Sequence, residues 1–522
     1  MGGLSRRRRA LPIRMAAAGG AFVLTMTLSP ARNLTVDDDG PADFRAIQNA
    51  IDAAAAGDVV AVAAGTYREN LLLKTGVAVL GSGSSVTIID GGRLSSVAKL
   101  IDCDAATRLE GFRLTGGQAG FGGGVRIERG SPVIRYNEIV GNLAVFGGSY
   151  LYSYGGGVAV LQSAALVSEN VLSGNQADYG GGLHLEGGSA RIIRNVITGN
   201  TAGAGGGVDA YVLYGTDALL ASNTLSSNTA IFGGGIELGG SGAPVLTNNL
   251  ILGNSALAGG AGTGIGGGAD AYYSNAHIFS NTLAGNAART GGGAAILSDG
   301  APRLVANVLL DNQASNAGGA LDLDSPGAAV LSNLFHLNGR GTCSGPAASL
   351  CSEPSNQEAD PLLVDPAGAD FRPRPGSPAI DSAPPAEAPE DDFRAQRRPL
   401  DGDHDGVPAP DRGAYEFDRN DVPGLEFTPG SPGSTRLAWQ PVSGASRYHV
   451  YSGVFSSHPG ALPGVCRDAD DDDPADRAFP DALDPPPGAA FAYLVTAVVE
   501  TVEQSPGFDS RGLERALPAT CP

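Results

Sequence analysis

Large aromatic side chains and charge are both scarce in this chain of 522 residues: aromatics make up 6% of it and charged residues 17%, whereas glycine reaches 78. So few big side chains exclude a single globule packed around an aromatic core and suit many tight turns and short strands. A mean hydropathy near zero excludes wholesale disorder, which pairs low hydrophobicity with high charge. Lysine occurs only as Lys74 and Lys99, and acids outnumber bases to give a formal charge of −20. Nucleic acid, which needs a basic footprint, is thereby excluded as a partner. Beyond residue 31 no apolar stretch is long enough to span a membrane. No CxxC or paired Cys/His spacing offers a zinc site.

The first 31 residues read as an export signal. Arg6 to Arg9 and Arg14 form its basic start, Met15 to Leu28 its apolar stretch, and Ser29-Pro30-Ala31 its small-residue exit. A secreted or cell-surface, monomeric protein is expected, with a retained N-terminal anchor as the rival. Loss of the five arginines takes the formal charge from −20 to −25. Five cysteines fit an exported chain, with disulfides expected for Cys343–Cys351 and Cys466–Cys521 and Cys103 left as a buried thiol.

The dominant pattern is a repeat. An asparagine recurs at 137, 170, 195, 223, 249, 281, 307 and 333, three residues after an apolar column (Ile134 to Val330) and two before another (Ile139 to Phe335). Positions five apart in one strand would face opposite ways, so both columns are buried only if the chain bends between them. The asparagine marks that bend, since its side chain tolerates left-handed backbone and would pair along a stack of coils as an amide ladder. A second asparagine column (142 to 338), an alanine column (144 to 314) and a run of three glycines complete each unit. The glycine runs begin at 122, 155, 180, 205, 233, 266, 291 and, degenerate, 318. They supply positive φ and close backbone approach before the next strand. Such a unit buries its apolar face only by stacking, at about 4.8 Å per coil. The expectation is an all-β chain: a right-handed parallel β-helix over 32–359 with an N-terminal capping helix from Phe44 to Ile51.

The order of that helix, Ala63-Ala64-Gly65-Thr66-Tyr67-Arg68-Glu69-Asn70 and Thr87-Ile88-Ile89-Asp90-Gly91 resembles the start of bacterial secreted β-helix proteins of the pectin-lyase-like superfamily. Gly318-Gly319-Ala320-Leu321 and Phe335-His336-Leu337-Asn338 resemble the short motifs of polymorphic outer membrane proteins, although most coils here carry Gly-Gly-Gly and no Phe. These resemblances imply fold and not activity. The Asp-Asp, Gly-His-Gly and Arg-Ile-Lys elements of the β-helix polygalacturonases are absent, and no lysine lies among the repeats to serve a lyase as base.

After the last coil, residues 360–418 resemble the closing segment of such proteins. Within it Asp401, Asp403 and Asp405 alternate ahead of Gly406, an oxygen-ligand spacing that would hold Ca²⁺, with a solvated acidic turn as the rival. Residues 424–522 alternate like half-buried strands around Leu437-Ala438-Trp439, Tyr448 to Tyr451 and Phe491 to Ala497, and resemble a fibronectin type III-like β-sandwich.

For function, the position after the first apolar residue of each glycine-led strand holds Arg126, Ala159, His184, Asp209, Glu237, Asp270, Ala295 and Asp322. Alternation sends these side chains outward. Asp209, Glu237 and Asp270 are the candidate catalytic carboxylates, and Tyr211, Tyr214, Tyr272 and Tyr273, with His184 and Asp322, the candidate ligand contacts. Three readings stand: a non-catalytic binder of an extracellular or cell-envelope polysaccharide, which the residues favour; a polysaccharide lyase or glycoside hydrolase acting on an acidic glycan; and a structural spacer.

Overall fold

The computed structural model of the protein describes residues 31–418, apart from 147–150, 214–215, 258–262, 298–299 and 404, and beyond 418 the backbone of seven strands. The export signal, Tyr214, Trp439 and Cys521 lie outside the described residues. Among those described, no helix is long and apolar enough to cross a membrane.

The chain winds as a right-handed parallel β-helix. Each coil contributes one short strand to each of three parallel sheets. A glycine-led sheet of eleven strands runs from Leu71–Leu72 to Cys343–Ser344. A middle sheet of twelve runs from Asn33–Val36 to Ala329–Leu331, and an asparagine-led sheet of twelve from Gly65–Tyr67 to Gln357–Glu358. Twelve strands at the usual spacing make a stack roughly 50 Å long. Both apolar columns point into the common core: Ile134, Val167, Ile192, Ile139, Leu172 and Ile197 are fully buried. Each such side chain contributes about 2 kcal/mol by leaving water.

The asparagines form ladders, with one correction to the local reading. Each Nδ2 donates to the Oδ1 of the next coil's asparagine, at 2.9 to 3.1 Å from Asn137 to Asn333 and 2.9 to 3.2 Å from Asn142 to Asn338. The left-handed residue, however, is the one before each asparagine. Tyr136, Glu169, Arg194, Ser222, Asn248, Ser280, Ala306 and Ser332 have φ of 53° to 58°. The bend made there swings the following side chain inward, where a buried amide is stable only with its hydrogen bonds made.

The capping helix is Ile47–Ala53, shorter than expected at its start, because Phe44 bridges Val36 instead. Ala46 offers no side-chain cap, and the Glu69 carboxylate takes that role by accepting from the Ile47 and Gln48 amides at 2.7 and 2.9 Å. At the other end the Cys343–Cys351 disulfide closes a loop whose Ala347, Leu350 and Cys351 pack on the last coil. Asn356 terminates the first asparagine ladder by accepting from Asn333 at 3.2 Å. Cys103 is free and buried, as expected.

Residues 360–417 lie along the side of the coils, not across their end. Phe371, Ala379, Ala414 and Tyr415 cover Leu250, Val308, Leu310 and Leu334, and the Gly413 amide donates to Ala306 O at 2.8 Å. The outward position of the asparagine-led strand explains the placement. It is exposed at Val171 and Val196 but becomes the buried Leu250, Thr282, Val308 and Leu334 in later coils of the same register. Beyond 418, Glu426–Pro429, Thr435–Ala438 and Ala478–Asp481 form one antiparallel sheet. Ala445–Phe455 and Ala490–Val499 pair antiparallel in another, in line with the all-β expectation.

Candidate functional site

The site is built by the glycine run. Its first glycine has φ of 57° to 70° in every coil, and a Cβ there would stand 2.2 to 2.6 Å from the carbonyl oxygen three residues on. The second and third glycines approach the next coil: a Cβ on Gly206 or Gly207 would meet Gly234 O or Gly235 O at 2.4 or 2.6 Å. Three glycines therefore fold the preceding arm, the segment between each second asparagine and its glycine run (201–204 before Gly205, 229–232 before Gly233), back onto the outer face of the strand that follows. A Cβ at Gly205 would lie 2.7 Å from Asp209 Cα, and one at Gly266 2.8 Å from Asp270 Cβ.

That back-fold qualifies the outward placement expected from alternation. The side chains do leave the core on the outer side, in register His184, Asp209, Glu237, Asp270 on successive strands, but the arms cover them. His184 is 1% exposed, Asp209 5% and Asp270 2%; Glu237 alone of the four keeps partial exposure. Asp322, farther along, is half-buried and accepts from Ser344 Oγ at 2.5 Å. Sequence reasoning missed the cover because alternation reports which face a residue takes, not what folds over that face.

Burial dominates the chemistry of the ladder. His184 Nδ1 and Asp209 Oδ2 are 2.6 Å apart, and His184 Nε2 lies 3.8 Å from Glu186 Oε2. Burial opposes the imidazolium, yet the hydrogen bond with Asp209 and the nearby charge of Glu186 prevail and raise the histidine pKa. Glu186 is lowered in turn by the imidazolium of His184 beside it. Burial, then the charges of Asp209 and Asp270, push Glu237 up to about 9, and burial pushes Asp270 up to about 8. Glu237 Oε2 and Asp270 Oδ1 are buried with no hydrogen-bond partner among the described residues.

The arms carry aromatics that single-residue scanning did not select. Phe121, Tyr154 and Tyr179 stack at 5.0 and 5.4 Å between ring centroids, and Tyr154 packs against His184 at 4.7 Å. Tyr154, Tyr179, Ala204 and Phe232 are bridged in that order along the arms. A repeat alignment on the residue before each glycine run would have found this column. On the other side of the ladder, Tyr211 and Tyr272 stand in one register column with Gly239 between them. Tyr211, Tyr272 and Tyr273 are 47%, 48% and 49% exposed. A Cβ on Gly239 would reach 3.2 Å from the Tyr211 ring, so its absence gives that ring room. Tyr273, at φ 51°, meets Tyr272 edge-on at 4.4 Å.

The acidic loop differs from expectation in its membership. Asp401 and Asp403 gather with Asp381, their ligand atoms all within 4.8 Å of one another, and Asp405 is not in the group. Asp405 Oδ1 instead accepts from the Val407 amide at 2.7 Å. Asp381 and Asp403 also spend oxygens on backbone amides, whereas Asp401 Oδ1 is buried without a hydrogen-bond partner.

A family model described as right handed beta helix region matches residues 123–314. Among solved structures, pectate lyase Pel9A matches at 14% identity over 75% of this chain and 98% of its own, with a TM-score of 0.46. Pectin methylesterase PemA from Erwinia chrysanthemi matches at 16% identity over 65% and 95%, TM-score 0.28. The mannuronan C-5 epimerase AlgE4 A-module of Azotobacter vinelandii does so at 16% over 60% and 92%, TM-score 0.29. No curated protein matches the chain.

Proposed function

We propose that this protein is an exported binder of an extracellular or cell-envelope polysaccharide, acting without catalysis through the face that carries Tyr211, Tyr272 and Tyr273. One observation carries the reading: half-exposed rings repeat along the register about 10 Å apart, two strand spacings, with a glycine between them, while Asp209 and Asp270 on the same strands are buried. Rings so spaced suit stacking against the apolar faces of an extended sugar chain. Asp209 and Asp270, shut off from solvent, cannot reach a glycosidic bond outside the arms.

Glycan arrays and affinity electrophoresis of the full chain test this. Each of Tyr211→Ala and Tyr272→Ala is expected to weaken retention about fivefold, for a ring contact of about 1 kcal/mol. Retention on no glycan would leave the spacer reading. A second reading rests on Glu237, which keeps some exposure and is held protonated at neutral pH, the state a general acid requires. Release of reducing ends or unsaturated sugars that disappears in Glu237→Gln and Asp209→Ala would establish it and end the non-catalytic one. Calcium remains a proposal for the acidic loop, with Asp381 in the place expected of Asp405. A rise in Tm with calcium over EDTA that Asp401→Asn abolishes would support it.

A further inference from the structure

The charges around the tyrosine face point to what kind of polysaccharide it takes, an inference that rests on the glycan-binding reading above. From Val158–Leu161 to Leu321–Leu323 the described side chains of the glycine-led strands include no lysine or arginine, and carry Glu186, Asp209, Glu237, Asp270 and Asp322. The arms over these strands add Asp178 and a single cation, Arg289. The only other basic group of the ladder is His184, already engaged by Asp209 and Glu186. Farther toward the N-terminus, Arg126 and Arg129 are paired with Glu128 and Asp102. A polymer with a carboxylate on every sugar would meet the ionised Glu186 along this face, with Arg289 the one cation of the arms to set against it.

Two features ask for a positive group instead. Glu186 stands opposite Tyr211 on the adjacent strand, one spacing of about 5 Å from the ring, with 44% of its side chain exposed and its carboxyl held ionised by His184. Deeper in, Asp270, 2% exposed, has an oxygen with no hydrogen-bond partner among the described residues, next to the equally unpartnered Glu237 Oε2. We propose that the tyrosine face binds a polysaccharide bearing free amino groups on its sugars, with the ammonium of a sugar stacked on Tyr211 paired to Glu186. Pairing at an exposed carboxylate contributes up to about 1 kcal/mol, a factor of about five in affinity per contact.

The test measures the full chain against a glucosamine polymer, its N-acetylated counterpart and a polygalacturonate, at low and high salt. The expected result is at least about fivefold tighter binding of the amino polymer than of the acetylated one, fading at high salt. Glu186→Gln should remove that preference and leave the acetylated polymer bound as before, whereas Tyr211→Ala should weaken both. Equal binding of both polymers, or tighter binding of the polygalacturonate, overturns the inference while the stacking reading stands. Retention of none of the three, with none found on a wider array, overturns both.

Discussion

Replacing Glu237 by glutamine should stabilise the protein, and by an amount that depends on pH. The carboxyl lies between Asp209 and Asp270 in the strand register, under the arms, and its pKa is pushed to about 9 from an ordinary 4.5. For an acid raised in the folded state, the folded chain holds a proton that the unfolded chain releases at lower pH. Its contribution is therefore fully present below about pH 4.5 and is lost as pH rises toward 9. Each pH unit in that window costs about 1.4 kcal/mol, so the wild type gives up about 3 kcal/mol by pH 7. Glutamine has nearly the same shape and does not titrate. Thermal midpoints of wild type and Glu237→Gln should thus nearly coincide at pH 4.5 and separate steadily to pH 9, with the variant higher. Two curves that run parallel over that range would refute the argument, because the carboxyl would then titrate alike folded and unfolded.

Asn195→Ala should cost about 3 kcal/mol or more in urea denaturation. It removes donors to Val167 O and Asn223 Oδ1 and leaves the buried Asn170 backbone N–H without its acceptor. Gly174→Ala isolates backbone strain, since φ is 61° and a Cβ meets nothing within 4 Å, and a loss of roughly 1 to 2 kcal/mol is expected. Gly206→Ala has no such room, with Gly234 O 2.4 Å from the new carbon, and should lower the yield of folded protein sharply. Reduction should lower the thermal midpoint through a bond closing a separation of eight residues, about 2 to 3 kcal/mol, and should leave a Cys343→Ser/Cys351→Ser variant unchanged.

Several levels of the architecture were legible without coordinates. Two apolar columns five residues apart require a bend, and the bend requires a coil, so Ile134 and Ile139 already imply a solenoid core. The amide ladder followed from the same column, since eight buried asparagines in register have only each other and the coil carbonyls for partners. The left-handed residue was misplaced by one, because Glu169, Arg194 and Ala306 carry no local preference for that conformation. There the ladder and the packed columns impose the backbone.

The glycine runs likewise announced a turn but not its direction. That the arms fold back over the strands emerges only when carbonyl oxygens of the same coil and the next come within 2.6 Å of where a side chain would begin. By itself the sequence determined the coil, its two inward apolar columns and its helical cap, because each depends on periodicity and on contacts between equivalent residues. Tertiary structure alone decided that Asp209 and Asp270 are buried, that Asp381 replaces Asp405 in the acidic group, and that residues 360–417 lie along the side. Those outcomes depend on which surface covers which, and solvent exclusion is a property of the packed surfaces together, carried by no one segment.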